Sequence, residues 1–197
     1  ALTDFRVMVE GIGRMYMGGP AFVNTMLGEE ATEEELGGLK VHSEITSLCD
    51  IPAGTEEEAF SKTRELLSFL PWNNREKPPT VGTGDDPQRL NRGILEILPE
   101  GKRPFDMRAI IREIVDSAHL FEVKPNFARN MVTCFARLNG QTVGILANNS
   151  IYIGGVIDAK AANKHARFVR FCDAFNIPII HLQDSPAVMI GRDEEYR

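Results

Sequence analysis

The chain has 197 residues, a formal net charge of −6, 43% hydrophobic and 25% charged residues, ordinary values for a globular protein able to build a core. The acidic balance excludes a general polyanion binder. The densest basic stretch, Lys160 to Arg170, alternates with apolar residues as a helix face does, so nucleic acid is not an expected partner. No apolar run reaches membrane-spanning length and no signal peptide opens the sequence, which predicts a soluble, cytoplasmic protein with no membrane contact. Cys49, Cys134 and Cys172 are odd in number and widely spaced, the pattern of neither a disulfide framework nor a zinc site. They read as small buried residues in a reduced compartment. Ala1 enters abruptly and Asp193 to Arg197 ends as abruptly, so a piece of a longer polypeptide is expected.

In chain order, Arg14 to Met17 reads as a short strand running into the turn Gly18-Gly19-Pro20. Pro20 to Leu27 has Phe22, Val23, Met26 and Leu27 on one helical face, with Gly28 as the stop. Thr32 followed by Glu35 is a capping box for a brief helix to Leu36, broken at Gly37-Gly38. Thr55 to Leu70 is the clearest helix of the first half. Thr55 and Glu58 cap it, and Ala59, Phe60, Thr63, Leu66, Leu67 and Leu70 form its apolar stripe up to Pro71. Pro71 to Pro104 is rich in proline, glycine and polar residues and reads as a linker, with a domain boundary near residue 100.

The second half has a sharper rhythm. Asp106 to Val115 reads as helix and His119 to Val123 as strand. Met131 to Leu138, Asn139-Gly140 and Thr142 to Ala147 read as a β-hairpin around the preferred two-residue turn. Asp158 to Phe175 reads as a long helix with Ala162, Ala166, Val169 and Cys172 among its apolar positions, ended by Asn176 and Pro178. Ile177 to Leu182 follows as a strand, then the loop Gln183 to Gly191. The order is that of an α/β protein.

Standard catalytic patterns are missing. No glycine-rich segment ends in the Lys-Ser/Thr of a phosphate loop. Gly11-Ile12-Gly13 is half a dinucleotide fingerprint, with no strand expected before it and no third glycine. His42, His119, His165 and His181 share no metal-ligand spacing, and His181 reads as a core histidine. Ser185 follows Asp184 outside any nucleophile elbow. The run Glu29 to Glu35 reads as a solvated face with helix caps. Either the chain is not catalytic, or its chemistry uses backbone N–H groups and a cofactor. Two segments could present such groups. One is Asn148 to Gly155, whose Gly154-Gly155 lets backbone approach a ligand; its plainer reading is a turn into the next helix. The other is Asp184 to Gly191, at the carboxyl end of a strand, where α/β sheets bind ligands; its plainer reading is a connector.

The segment Ala166-Arg167-Phe168-Val169-Arg170-Phe171-Cys172-Asp173-Ala174-Phe175-Asn176-Ile177-Pro178 resembles the signature of the carboxyltransferase subunits of propionyl-CoA carboxylase and its relatives. Phe135 to Gly140 with Val143-Gly144-Ile145, Glu34 to Gly38 with Lys40 and His42, Asp86-Pro87 with Arg89-Leu90, Phe105-Asp106-Met107 and Ala1 to Phe5 agree with the same family in order and spacing.

The resemblance implies a crotonase-type α/β fold built from ββα units. Residues 1–100 would be the end of an acyl-CoA domain with its linker, and 101–197 the start of a biotin domain. It implies carboxyl transfer from carboxybiotin to the α-carbon of an acyl-CoA, with no metal. The freed ureido nitrogen would take the α-proton, and protein N–H pairs would stabilise the oxyanions, so no side-chain base is required. It implies a biotin carboxyl carrier, a biotin carboxylase component and further copies of the chain as partners, in the cytoplasm or a mitochondrial matrix. Gly154, Gly155, Asp184, Ser185, Pro186, Ala187 and Val188 are then the cofactor-proximal positions, and Gly37 and Gly38 the substrate-proximal ones. The oxyanion-hole pairs of the family should lie before Ala1 and beyond Arg197, so the piece alone is expected to be inactive. Ala187 stands where relatives carry glycine, which puts backbone approach there in doubt. A biotin-dependent decarboxylase of the same family, a non-catalytic scaffold subunit and an unrelated nucleotide-binding domain are the alternatives.

Overall fold

The computed structural model describes residues 3–101 and 103–196. Ala1, Leu2, Lys102 and Arg197 lie outside the described residues, and with them the first two positions of the Ala1–Phe5 match. The chain forms two compact units: residues 1–64 with 124–127, and residues 65–123 with 128–197.

In the first unit, β1 (Val7–Val9) pairs in parallel with β2 (Ile51–Ala53), Val7 opposite Ile51 and Val9 opposite Ala53. A parallel pair needs a long crossover. Here it carries α1 (Pro20–Leu27), α2 (Glu33–Gly37) and a π-helical turn, Val41–Ile45. The predicted stop and cap are both present. Gly28 adopts φ 68° and its N–H bonds to the Asn24 carbonyl, while Thr32 and Glu35 exchange the two bonds of a capping box. The strand expected at Arg14–Met17 is irregular, and the strand that forms lies at Val7–Val9. Gly11-Ile12-Gly13 therefore does follow a strand, but no helix begins directly after it.

Asp50 organises this unit's interior. It is 1% exposed. Its Oδ2 accepts from the Arg6 backbone N–H at 2.9 Å and from Arg6 Nε at 3.0 Å, and its Oδ1 lies 2.8 Å from Lys124 Nζ. Lys124 Nζ also donates to the Ser47 carbonyl, and the Lys124 backbone N–H donates to the Asp50 carbonyl at 2.7 Å. A buried carboxylate is tolerated only with such partners.

Helix α3 (Glu56–Phe69) has residues 56–64 in the first unit and 65–69 in the second. The Thr55 hydroxyl caps it, accepting from the Glu58 N–H at 3.2 Å. Its buried side is Ala59, Leu66 and Phe69, whereas Phe60 and Leu67 are exposed. The stripe is thus rotated from the one the sequence suggests.

The second unit is a four-stranded sheet in the order β3 (Leu120–Glu122), β4 (Met131–Leu138), β5 (Gln141–Asn148), β6 (Ile179–Leu182). The first two pairings are antiparallel and β5–β6 is parallel. The β4–β5 turn has Asn139 at φ 49° and Gly140 at φ 76°, the left-handed pair a type I′ turn requires. The Asp116 carboxylate accepts both turn N–H groups, at 2.9 and 2.7 Å.

Strand alternation puts Val132, Cys134, Ala136, Val143, Ile145 and Ala147 on one face, covered by Met107, Ile110 and Ile111 of α5 (Met107–Ile114). The opposite face holds Phe135, whose ring centroid lies 5.0 Å from that of Phe168 on α6 (Ala159–Ala174). A Cβ at Gly144 would come within 2.6 Å of Cys172 Sγ, so a glycine there lets α6 sit down on the sheet. Two hairpin strands followed by this helix make the expected ββα unit. All three cysteines are free and buried, as their composition suggests.

The segment read as a linker contains α4 (Gly93–Ile97) and is tied to the second unit. Arg89 donates to the carbonyls of Glu113 and Val115 at 2.6 and 2.9 Å, satisfying the open end of α5. A short helix, α7 (Arg192–Glu195), follows the last loop, again unforeseen. Among the described residues no helix is long and apolar enough to cross a membrane.

Candidate functional site

Parallel pairing of β5 with β6 sets Gly144 opposite Ile179 and Ala147 opposite Leu182, so the two carboxyl ends coincide. The segments that leave these ends, residues 149–158 after β5 and 183–191 after β6, overlap the two singled out by sequence, Asn148 to Gly155 and Asp184 to Gly191. They meet. The Ile157 N–H donates to the Ala187 carbonyl at 3.1 Å, and the Met189 N–H to the Ile157 carbonyl at 2.8 Å. Gly155 adopts φ 74°, and a Cβ there would lie 2.8 Å from the Asp184 carbonyl oxygen. Gly154 has φ 66° with open space around it. Ile153, before them, also has positive φ, at 43°, a strained setting for a β-branched residue.

Side-chain amides from the sheet brace this backbone. Asn148, 4% exposed at the end of β5, donates through Nδ2 to the Gly155 carbonyl at 3.1 Å. Asn130, just before β4, donates to the Val156 carbonyl at 2.8 Å and to Asp158 Oδ1 at 3.2 Å. Asp158 Oδ1 also caps α6 by accepting the Ala161 N–H at 2.8 Å. Ser185 Oγ donates to the Ala187 carbonyl at 2.9 Å, closing the second loop on itself. Asp184, Pro186, Ala187, Val188 and Gly154 are exposed, Ser185 is half-buried and Gly155 is buried. Ala187 is not among the residues with positive φ, so its Cβ causes no backbone strain there.

Beside these loops is a cavity of about 190 Å³ whose walls include Met131, Leu146, Ile157, His165, His181 and Gln183. Its walls mix apolar side chains with the polar groups of Asn148, His165, His181 and Gln183. His165 and His181 face each other, with ring centroids 5.2 Å apart. Burial, and then the neighbouring His181, hold the His165 imidazole below its ordinary pKa. His181 is exposed, contrary to its reading as a core histidine. The pair has no sequence signal, because α6 and β6 bring the rings together across the fold. Lys164, 2% exposed, was equally illegible; its Nζ donates to the Met131 carbonyl at 2.6 Å and pins α6 to the start of β4. Among the described residues no cluster of metal-ligating side chains occurs.

In the first unit, Gly37 and Gly38 serve close packing. The Met15 N–H donates to the Gly37 carbonyl at 2.9 Å, and a Cβ on Gly37 would fall 1.9 Å from the Met15 carbonyl oxygen. His42 Nε2 donates to that same oxygen at 2.6 Å, while its Nδ1 pairs with Thr46 Oγ1 at 2.8 Å. A Cβ on Gly38 would overlap the Glu34 carboxylate. A cavity of about 350 Å³ lies next in sequence, walled by Glu34, Leu39, Lys40, Ser43, Glu44 and Gly54 among others.

A carboxyl transferase domain model matches residues 1–197. The chain is 43% identical to the methylmalonyl-CoA decarboxylase subunit alpha of Veillonella parvula and 42% identical to the propionyl-CoA carboxylase carboxyltransferase subunit of Haloferax mediterranei, both over its whole length. It spans only 39% and 38% of those two proteins. Among solved structures, transcarboxylase 12S with hydrolysed methylmalonyl-coenzyme A bound superposes with a TM-score of 0.93 at 39% identity, over 99% of this chain and 38% of that one. A single-chain, multi-domain long-chain acyl-CoA carboxylase superposes with a TM-score of 0.79 at 27% identity, over 98% of this chain and 19% of that one. The fold is therefore the crotonase type of carboxyltransferase domains.

Proposed function

Because the chain belongs to the carboxyl transferase domain family, we propose that it forms part of a biotin-dependent acyl-CoA carboxyltransferase, which moves a carboxyl group from carboxybiotin to the α-carbon of an acyl-CoA. In this reading residues 1–100 complete the acyl-CoA half and 101–197 open the biotin half. The observation that carries it is the meeting of the loop that holds Gly154-Gly155 with the Asp184–Val188 loop, through Gly155 and Ile157, at the carboxyl ends of β5 and β6 and beside the cavity that His165 and His181 line. We assign those residues to the surroundings of biotin, and Gly37 and Gly38, less directly, to the acyl-CoA side.

Carboxybiotin, when bound, supplies the carboxyl group. The chain's own contribution is preorganisation. Asn130 and Asn148 hold the carbonyls of Val156 and Gly155, and the Ile157–Ala187 and Met189–Ile157 bonds lock the two loops together. Backbone dipoles fixed in this way need no reorganisation during reaction. Partners that follow from the reading are a biotin carboxyl carrier, a biotin carboxylase component and further copies of the polypeptide, in the cytoplasm or a mitochondrial matrix. The hexamer assembly described for transcarboxylase 12S supports the homo-oligomer.

The test is carboxyl transfer by the intact polypeptide, given its carrier and ATP-charged biotin, to acetyl-, propionyl- and longer acyl-CoA esters. Product with at least one ester is expected; none with any ester would refute the reading. The 43% identity to a decarboxylase subunit favours a second direction of the same chemistry. ATP-independent release of CO2 from a carboxyacyl-CoA distinguishes it.

A further inference from the structure

We propose that the groove at the amino-terminal edge of β5 and β6 is a binding site for a phosphate group, separate from the cofactor site at the other end of the same strands. The groove has a volume of about 410 Å³. Its walls include Arg75, Lys77, Gln141, Thr142 and Asn176, and no acidic side chain is among them. Among the described residues neither Arg75 nor Lys77 has a carboxylate partner. A guanidinium and an ammonium offer only donors, and together they match the charge and multiple acceptor oxygens of a phosphate.

Thr142 supplies an independent pointer. It is 2% exposed at the start of β5, yet its hydroxyl has no hydrogen-bond partner. Buried hydroxyls are nearly always satisfied, so an unpaired one on a residue that lines the groove is consistent with an acceptor supplied from outside the protein. The groove is also fixed in shape. Asn176 Nδ2 donates to the Asn74 carbonyl at 2.8 Å, Thr80 forms a β-bridge with Gln141, and the Val81 N–H donates to the Gly140 carbonyl at 3.0 Å. These bonds hold the Arg75–Thr80 segment against the strand starts and set both cations over one floor. The phosphate could come from the free anion or from coenzyme A, and the chemistry of recognition is the same for both.

The experiment is a calorimetric titration of the intact polypeptide with inorganic phosphate at low ionic strength. Saturable binding that weakens with added salt is expected. The double substitution R75A/K77A, at exposed positions where folding is not at stake, should weaken binding about tenfold or more, whereas R75K/K77R should retain most of it. Thr142→Val, nearly isosteric, should weaken it by about threefold or more. Absence of saturable binding, or R75A/K77A binding as tightly as the unsubstituted protein, overturns the proposal. Repeating the titration with saturating coenzyme A separates the sources. Unchanged phosphate binding supports a free-anion site, and competition that R75A/K77A abolishes supports a coenzyme A phosphate in the groove.

Discussion

Gly154 and Gly155 are adjacent, share a left-handed backbone, and differ in one respect that alanine substitution isolates. At either position alanine must adopt positive φ, 66° or 74°, at a cost of about 1–2 kcal/mol. At 154 nothing else is encountered, because no atom lies within 4 Å of the added Cβ. At 155 the Cβ would sit 2.8 Å from the Asp184 carbonyl oxygen, a backbone atom that cannot swing away alone. Relieving such an overlap typically adds about 1–3 kcal/mol. Gly154→Ala should therefore cost about 1–2 kcal/mol and Gly155→Ala about 2–5 kcal/mol. Urea titrations of the intact polypeptide, followed by circular dichroism, measure the difference. The overlap also pushes the Asp184–Val188 loop outward, so under the proposed function Gly155→Ala should raise KM for the biotinylated carrier far more than Gly154→Ala does. Equal stability losses for the two variants would show that Gly155 is glycine for its dihedral alone, and that the two loops do not press on each other.

Removing the charge of Asp50 should cost about 3–5 kcal/mol, because Asp50→Asn leaves Arg6 and Lys124 buried without their shared anion; the urea midpoint reads this directly. His165 has its folded-state pKa held below the ordinary imidazole value by burial and by His181. The unfolded chain then binds the proton more readily, so stability is full above the ordinary pKa of about 6.5 and declines as pH falls below it. His165→Gln should flatten that decline in thermal melts between about pH 7 and pH 5. Burial, with a contribution from neighbouring Asp50, pushes the Cys49 thiol up to about 11, burial alone takes Cys172 to about 12, and burial with a contribution from Glu122 raises Cys134. Iodoacetamide at pH 8 should label none of them until urea unfolds the protein; labelling of the folded form would contradict the packing.

Where local chemistry decides structure, the sequence was a good guide. Asn139-Gly140 names its turn, Thr32 with Glu35 names a cap, and Gly28 with Asn176 names two stops, each through a dihedral or hydrogen bond that depends on near neighbours. Where tertiary packing decides, it was a poor one. The stripe of α3 is apolar on two adjacent sides, and tertiary neighbours, among them Phe121, Phe135, His119 and Arg137, choose Phe69 over Phe60. On α6 the buried positions are Ala161, Lys164, Phe168 and Cys172, since a lysine whose ammonium reaches the Met131 carbonyl can occupy a core position that hydropathy assigns elsewhere. The glycine pairs were visible as sequence, but their roles were not. Gly155 touches the Asp184 loop, whereas Gly37 makes room for the Met15 backbone, and no local pattern separates the two.

The Asp50 cluster also constrains the order in which a nascent chain can settle. Arg6, β1 and β2 leave the ribosome before the ammonium that completes their ionic centre, which is at position 124, after the helices and linker between. Until Lys124 and the short Lys124–Phe127 return have been synthesised, the first unit holds an incompletely matched carboxylate at its centre. Its maturation is thus deferred until α3 and the segments between it and Lys124 have been translated, and a pause before that codon would prolong exposure of the unfinished strands to chaperones and proteases.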